Sequence, residues 1–372
     1  MGDIRKMQEL EALRNIARGF DIDGEPVSIE QNKSGHINST YIITTDKGAK
    51  YVLQRINTNI FKNPDELMSN IAGVTDFIRS KLDKAGADST RGTLYFHKFE
   101  DGKYYFLDGD GVWRLYRYVG GARTYMTVEK PGLFYNCAKA FGGFQRMLAD
   151  YPAGKLFETI PNFHNTVSRL EDFKRAVAED KAGRAKDVKA EIDFILERAE
   201  LCSFVTSRIE NGTLPLRVTH NDTKLSNILI DDETLEGICV IDLDTIMPGS
   251  VLYDFGDSIR FGACSTEEDE KDFSKVYIKL DLFEEFTRGF IDGLENSLTE
   301  AEVAALPYGA LVITLETGMR FLGDYLNGDV YFAVHREGHN LDRARVQLAM
   351  VADMEKHLSE MEEIVKKCAH GA

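Results

Sequence analysis

Cysteine is scarce and scattered in this chain. Cys137, Cys202, Cys239, Cys264 and Cys368 are an odd-numbered set with no CxxC pair and no Cys/His cluster. That pattern argues against a disulfide framework and structural zinc, and it leads one to expect reduced thiols and a cytoplasmic location. Long apolar runs are missing too. No segment approaches the roughly 20 residues that a membrane span requires. The charged opening MGDIRKMQEL has no apolar signal core, and Lys6 stands where N-terminal acylation wants Ser or Thr. No membrane partner is expected. Positive charge is in short supply, with 45 Lys+Arg against 61 Asp+Glu and a net charge of −16. Without a net positive field no nucleic-acid partner is expected, although a small anion can still be held locally or through a metal. There is no internal repeat and no low-complexity tract. What remains is 372 residues, 43% hydrophobic and 28% charged. This suits a soluble globular protein of two lobes, expected to act as a monomer or weak homodimer.

The first part has β character. STYIITT (39–45) alternates and ends in the turn signal DKG, and KYVLQRI (50–56) follows as its hairpin partner. The next stretch, NPDELMSNIAGVTDFIRSKLDKAG, opens like a helix: Asn63 to cap, Pro64 at the first position, Asp65 and Glu66 against the positive end. Leu67, Ile71, Val74, Ile78 and Leu82 recur at helical spacing. TLYFHKF (93–99), KYYFLD (103–108) and VWRLYRYV (112–119) read as further strands. The expectation is an α+β chain with a five-stranded antiparallel sheet and one inserted helix. After the linker GGARTY (120–125) the pattern turns mainly helical, including one long amphipathic segment from Asp187 to Gly212. The domain boundary is placed at 121/122, giving an N-lobe of 1–121 and a C-lobe of 122–372 that contains a short strand pair, ILID and CVIDLD.

VTHNDTKLSNILID (218–231) carries the most chemistry. His220-x-Asp222 with Asn227 five residues further on has the spacing of a kinase catalytic loop. There an aspartate accepts the proton of the attacking hydroxyl and an asparagine binds magnesium. Lys224 could bring a cation to the transferring phosphoryl. The bland alternative is a polar turn capped by Asp222. GICVIDLDTIMPG (237–249) weakens that alternative by placing Asp242 at the end of an apolar run. A hairpin through DDETLEG would make its two ends neighbours, so Asn227 and Asp242 suit one magnesium, which takes few protein ligands. Asp244 either lines the same site or faces solvent. The letters Asp254-Phe255-Gly256 look like the kinase metal motif, but they lie beyond Pro248-Gly249 and open a helix-like stretch. They are expected to start a helix, with Asp254 or Asp257 capping or bracing the loop.

A β-rich lobe, HxDxxxxN and a hairpin ending in IDLD together resemble the aminoglycoside phosphotransferase and choline kinase superfamily. HNDTKLSNILID, VIDLDTIMPGSVLYDFGDSIRFGA, YVLQRIN, FKNPDELMSNI and FLGDYLNGDVYFAVHREGHNLDRARVQL are similar in wording to the N-acetylhexosamine 1-kinase type, over about residues 32–357. The resemblance implies a bilobal protein-kinase-like fold and an ATP- and Mg2+-dependent transfer to the anomeric 1-hydroxyl of a small-molecule sugar. Asp222 would be the base, and Asn227 and Asp242 the magnesium ligands. NKSGHINSTY (32–41) would cover the phosphates through Ser34, Gly35, Asn38 and Ser39. The adenine would sit near Arg117, Tyr118 and Val119. Gln54 occupies the place where kinases usually carry a phosphate-binding lysine, with Glu66 as the candidate helix glutamate. This departure keeps a nucleotide-binding pseudokinase open as an alternative, beside the same chemistry on an amino alcohol or aminoglycoside.

For the acceptor, Arg320 and Asp324 lie four apart on one helical face in LETGMRFLGDYLNGDVYF (315–332). They are either a surface ion pair or, with Tyr325, Asp329, Tyr331 and His339, the polar and aromatic wall of a sugar pocket.

Overall fold

The structure is a computed structural model and describes residues 2–32, 38–109 and 111–371. It divides into two compact units, Met1–Ala122 with Ile238–Asp244, and Arg123–Gly237 with Thr245–Ala372.

The first unit is built on β1 (Pro26–Asn32), β2 (Ser39–Thr45), β3 (Lys50–Ile56), β4 (Phe106–Asp108) and β5 (Gly111–Arg117). Every pair in this five-stranded sheet is antiparallel and the order is β1-β2-β3-β5-β4. The β2–β3 hairpin closes as the DKG signal demands, with Gly48 at φ +78°. The inserted helix Pro64–Lys84 follows the third strand; Asn63 accepts the Glu66 N–H, and Leu67, Ile71, Val74 and Ile78 are buried.

One strand was misassigned from sequence. Residues 93–99 make only isolated bridges, Phe96 to Tyr116 and Phe99 to Phe20, and Pro26–Asn32 supplies the fifth strand. Alternation in 93–99 reflects scattered bonds to the far end of β5, while β4 takes the regular pairing with Val112 and Trp113. A further helix, Gly2–Arg18, was hidden by its many charges. Its Leu13, Ile16 and Ala17 pack with Phe20, Ile43, Tyr51, Leu53, Trp113 and Leu115 in one core.

The second unit is mostly helical. Leu133–Met147, Thr166–Glu179, Val251–Gly262, Leu280–Leu294, Glu300–Asn327 and His339–Lys356 are its longer elements near the candidate site or the core. Fully buried Phe134, Phe141, Phe255, Phe283, Phe286 and Phe290 fill its centre. The long helix expected from Asp187 to Gly212 is instead broken into Lys189–Leu196, Ala199–Cys202 and Phe204–Glu210. Short strands at Arg217–Thr219 and Met247–Gly249 pair antiparallel and hold the start of the loop that carries Asp222. Among the described residues no helix is long and apolar enough to cross a membrane.

Candidate active site

The expected site residues fall into separate groups, and the loop of the second unit comes first. His220 to Asn227 leaves the short strand and is tied to the helix Val251–Gly262 by a set of directed bonds. The Asp254 carboxylate accepts the main-chain N–H of His220 at 3.0 Å and of Asn221 at 2.7 Å. Asp257 accepts the Thr223 N–H at 3.0 Å, and Ser258 donates to the Thr223 carbonyl at 2.8 Å. Thr245 closes the other side by donating to the His220 carbonyl at 2.6 Å. The helix starts earlier than expected, since Ser250 is its N-cap and accepts the Leu252 N–H. Asp254 and Asp257 thus brace the loop from inside the helix.

On this brace sits Asp222, with 22% of its side chain exposed. Its carboxylate meets the Lys224 ammonium at 2.7 Å and accepts from Asn227 Nδ2 at 3.1 Å. Asn227 also donates to the Asp222 carbonyl at 2.8 Å. Its amide nitrogen is spent on Asp222, which leaves the Oδ1 side to meet a hard cation. Burial disfavours the Lys224 charge, but Asp222 and Asp257 outweigh it and raise its pKa. Burial also opposes the Asp257 charge, yet Arg260 and Lys224 hold its carboxyl below the usual range. Burial pushes Asp254 up, against the His220 and Asn221 donors.

The second group lies in the first unit. Asp244 is 4% exposed, which removes the solvent-facing alternative. It forms an ion pair with buried Arg114 and accepts from Asn38 Nδ2 at 2.7 Å. Arg114 also donates to the Gln54 carbonyl oxygen, from Nε at 3.0 Å and from its terminal nitrogen at 2.8 Å. Gln54 in turn donates to Thr40 at 3.1 Å. Asp242 is exposed and has a left-handed backbone, φ +58°. Ser39 is exposed next to Asn38, while Ser34 and Gly35 lie outside the described residues. Arg117 and Tyr118 are exposed and Val119 is buried. The N–H groups of Arg117 and Tyr118 are taken by the carbonyls of Tyr95 and Lys50.

The third group surrounds the end of the helix Glu300–Asn327. Asp324 is buried, so it is no surface ion pair. Its two oxygens accept the N–H groups of Val330, Tyr331 and Phe332 and the Asn340 amide, at 2.8 to 3.0 Å. Asp329 pairs with Arg184 at 2.6 Å and accepts from Asn340 at 2.9 Å. The Arg184 guanidinium also lies 4.5 Å from the Tyr325 ring centroid. His339 is buried, with Nε2 3.2 Å from Asp269. Arg320 stands among the rings of Phe163, Tyr331 and Phe332 at 5.8, 5.9 and 5.5 Å. Tyr331 itself is 69% exposed.

Three participants escaped sequence reasoning. Arg114 carried one usable signal, a charge at an inward position of an apolar strand. Glu316 carried a similar one, a carboxylate in the apolar run of the helix Glu300–Asn327. His164 carried none, because its partners are 57 and 152 residues away. Among the described residues no group of three His, Cys, Asp or Glu side chains is placed to hold a metal.

Solved structures share this fold. An aminoglycoside phosphotransferase from Alicyclobacillus acidocaldarius aligns with TM-score 0.61 at 12% identity, over 95% of this chain and 96% of that one. A microcompartment-associated aminopropanol kinase gives TM-score 0.57 at 17% identity, over 95% and 98%. An amicoumacin kinase in complex with AMP-PNP, Ca2+ and Ami gives 0.58 at 17%, over 94% and 96%. The sequence profile described as the phosphotransferase enzyme family, APH, matches residues 28–286, well over half of the chain. With that match and this fold, the chain belongs to the APH phosphotransferase enzyme family.

Proposed function

We propose that the protein is a small-molecule kinase that transfers the γ-phosphoryl group of ATP to the anomeric 1-hydroxyl of an N-acetylhexosamine, GlcNAc or GalNAc. The observation that carries the reading is the Asp222 carboxylate, partly exposed and oriented by Asn227 and Lys224 on a braced loop. Asp222 accepts the hydroxyl proton as the sugar oxygen bonds to the γ-phosphorus, while the bond from that phosphorus to the β–γ bridging oxygen breaks and ADP leaves. Lys224 sets its charge beside the carboxylate, where phosphoryl charge accumulates. Asn227 would offer magnesium a hard oxygen beside Asp222, Asp242 is the second ligand that the family resemblance implies, and the ion when bound would neutralise phosphate charge. Arg114 is a buried sheet cation already paired with Asp244 and Gln54, so it is the set of Asp222, Lys224 and Asn227 on one loop that favours an active kinase over a pseudokinase.

The acceptor follows from charge. Glu316, Asp324 and Asp329 are all engaged by internal partners. Arg320 and the rings of Phe163, Tyr331 and Phe332 form a basic and aromatic wall beside Asp324. A cationic amino alcohol or aminoglycoside would face Arg320, with Glu316, Asp324 and Asp329 already paired internally. A neutral sugar can stack its apolar face on the rings and accept N–H bonds on its hydroxyls. Asp324 contributes by shaping the 329–332 loop.

The test is ADP release with MgATP on neutral hexoses, N-acetylhexosamines, choline, aminopropanol and an aminoglycoside. Turnover should be confined to the N-acetylhexosamines, and Asp222→Asn should lower it by about 10²–10⁴-fold, the usual contribution of a general base. Turnover on a cationic acceptor instead would remove the sugar reading.

A further inference from the structure

The peptide that joins Asn221 to Asp222 lies between two imidazole rings. The Asn221 carbonyl oxygen is 3.3 Å from Nε2 of His164, and the Asp222 N–H donates to Nδ1 of His220 at 3.3 Å. That carbonyl and that N–H belong to one planar unit. Holding both therefore sets the plane from which the Asp222 side chain departs.

His164 is itself held. Its Nδ1 meets Glu316 Oε1 at 2.8 Å, and the other Glu316 oxygen accepts from the Thr166 hydroxyl at 2.7 Å. The carbonyl and the carboxylate both only accept, so the ring is held between two acceptors. Glu316 is 1% exposed in the middle of a long helix. Burial opposes its charge, but His164, Arg320 and Thr166 prevail and keep its carboxyl below the usual range. A buried carboxylate is a costly way to fill a helix interface, where an apolar side chain would do. Through His164, the pair reaches the peptide ahead of Asp222.

That peptide needs holding. Asn221 has φ +66°, a left-handed conformation for a residue that is not glycine. Such backbone persists where the surroundings over-determine it. Here the Asn221 N–H goes to Asp254 at 2.7 Å and its amide donates to the Thr245 carbonyl at 2.8 Å. The carbonyl is the remaining handle, and His164 takes it.

We propose that His164, carried by Glu316, is a positioning residue that fixes the Asn221–Asp222 peptide plane and so aims the Asp222 carboxylate at the acceptor hydroxyl. Its effect on turnover rests on the phosphotransfer reading above, whereas its hold on the peptide does not. Three variants, His164→Ala, His164→Gln and Glu316→Gln, are compared with the wild type in steady-state kinetics and in amide hydrogen exchange over residues 218–227. Misaiming a reacting group by about 1 Å can lower a rate by about 10²-fold. His164→Ala should therefore lose roughly 10–100-fold in kcat, with KM for ATP and acceptor within about twofold. His164→Gln retains a donor for the Asn221 carbonyl and should recover part of that loss. Glu316→Gln should fall between the two. A kcat within about twofold of wild type in His164→Ala overturns the proposal, as does a loss seen in KM rather than kcat. Should His164→Ala fail to fold, the ranking of His164→Gln and Glu316→Gln below wild type decides the matter by the same kcat criterion. Should the wild type turn over no acceptor, the function reading falls, and exchange alone decides. Faster exchange of 218–227 in His164→Ala, with the rest of the chain unchanged, upholds the clamp, and identical exchange overturns it.

Discussion

Arg114 and Asp244 are 3% and 5% exposed at their side chains, so neither charge has water to fall back on. Removing one partner of such a pair leaves the other charged and dry, at a cost of roughly 3–5 kcal/mol, whereas replacing both by apolar residues can be nearly neutral. Arg114→Met should therefore lower the denaturation midpoint strongly, and the double variant with Asp244→Leu should regain much of the loss. Equilibrium urea unfolding of the set checks this. Asp257 gives a prediction in pH. Its folded pKa lies below the ordinary carboxylate value, so its contribution to stability is full above that value and is lost as pH falls through the lower folded one. Asp257→Asn should therefore destabilise the protein at neutral pH, and the difference from wild type should shrink below about pH 4, the ordinary aspartate range. Thermal unfolding between neutral and acid pH measures it.

At the scale of elements, the Asp-Phe-Gly letters acquire a meaning unlike their kinase one. Phe255 is fully buried, and Gly256 lies where the helices Val251–Gly262 and Glu300–Asn327 touch. A Cβ on Gly256 would stand 2.3 Å from the Gly309 carbonyl oxygen, and one on Gly309 would stand 2.6 Å from that of Leu252. Backbone cannot yield as a side-chain tip can, so Gly256→Ala should cost about 1–3 kcal/mol, the range for overpacking. The same crossing holds Asp254 and Asp257 against the loop, so kcat should fall along with stability. Gly143, inside the helix Leu133–Met147, has nothing within 4 Å of its absent Cβ. There Ala should stabilise by up to about 1 kcal/mol through helix propensity alone. Chemical denaturation of the two variants should give opposite signs. From sequence, Gly256 and Gly143 are two helix glycines. Only the neighbouring helix distinguishes them.

For the whole molecule, the proposed nucleotide binding would be linked to stability by mass action. A ligand at 100 times its dissociation constant adds about 2.7 kcal/mol, so MgATP should raise the melting temperature by a few degrees. EDTA should abolish turnover and remove most of that shift. Differential scanning fluorimetry with and without the chelator tests both, and an unchanged shift in EDTA would mean that nucleotide binds without the metal.

Local patterns in the chain determined what depends on near neighbours. The β2–β3 hairpin, the Asn63-capped helix and the His220–Asn227 spacing are set within a few residues of one another, and their chemistry is legible there. Pairing across long separations is different. Whether 93–99 or 26–32 completes the sheet depends on which segment reaches a free edge, which the residues of neither segment decide alone. Asp244 had two equal readings until a residue 130 positions away was placed against it. Asp324 reads from sequence as either a surface ion-pair partner of Arg320 or part of a sugar pocket, yet four donors from the 330–340 stretch enclose it. Burial and hydrogen-bond partnership are properties of the packed chain. Only the tertiary structure decided which carboxylates, like Asp244 and Asp324, are buried among internal partners and which, like Asp222, keep part of their surface exposed.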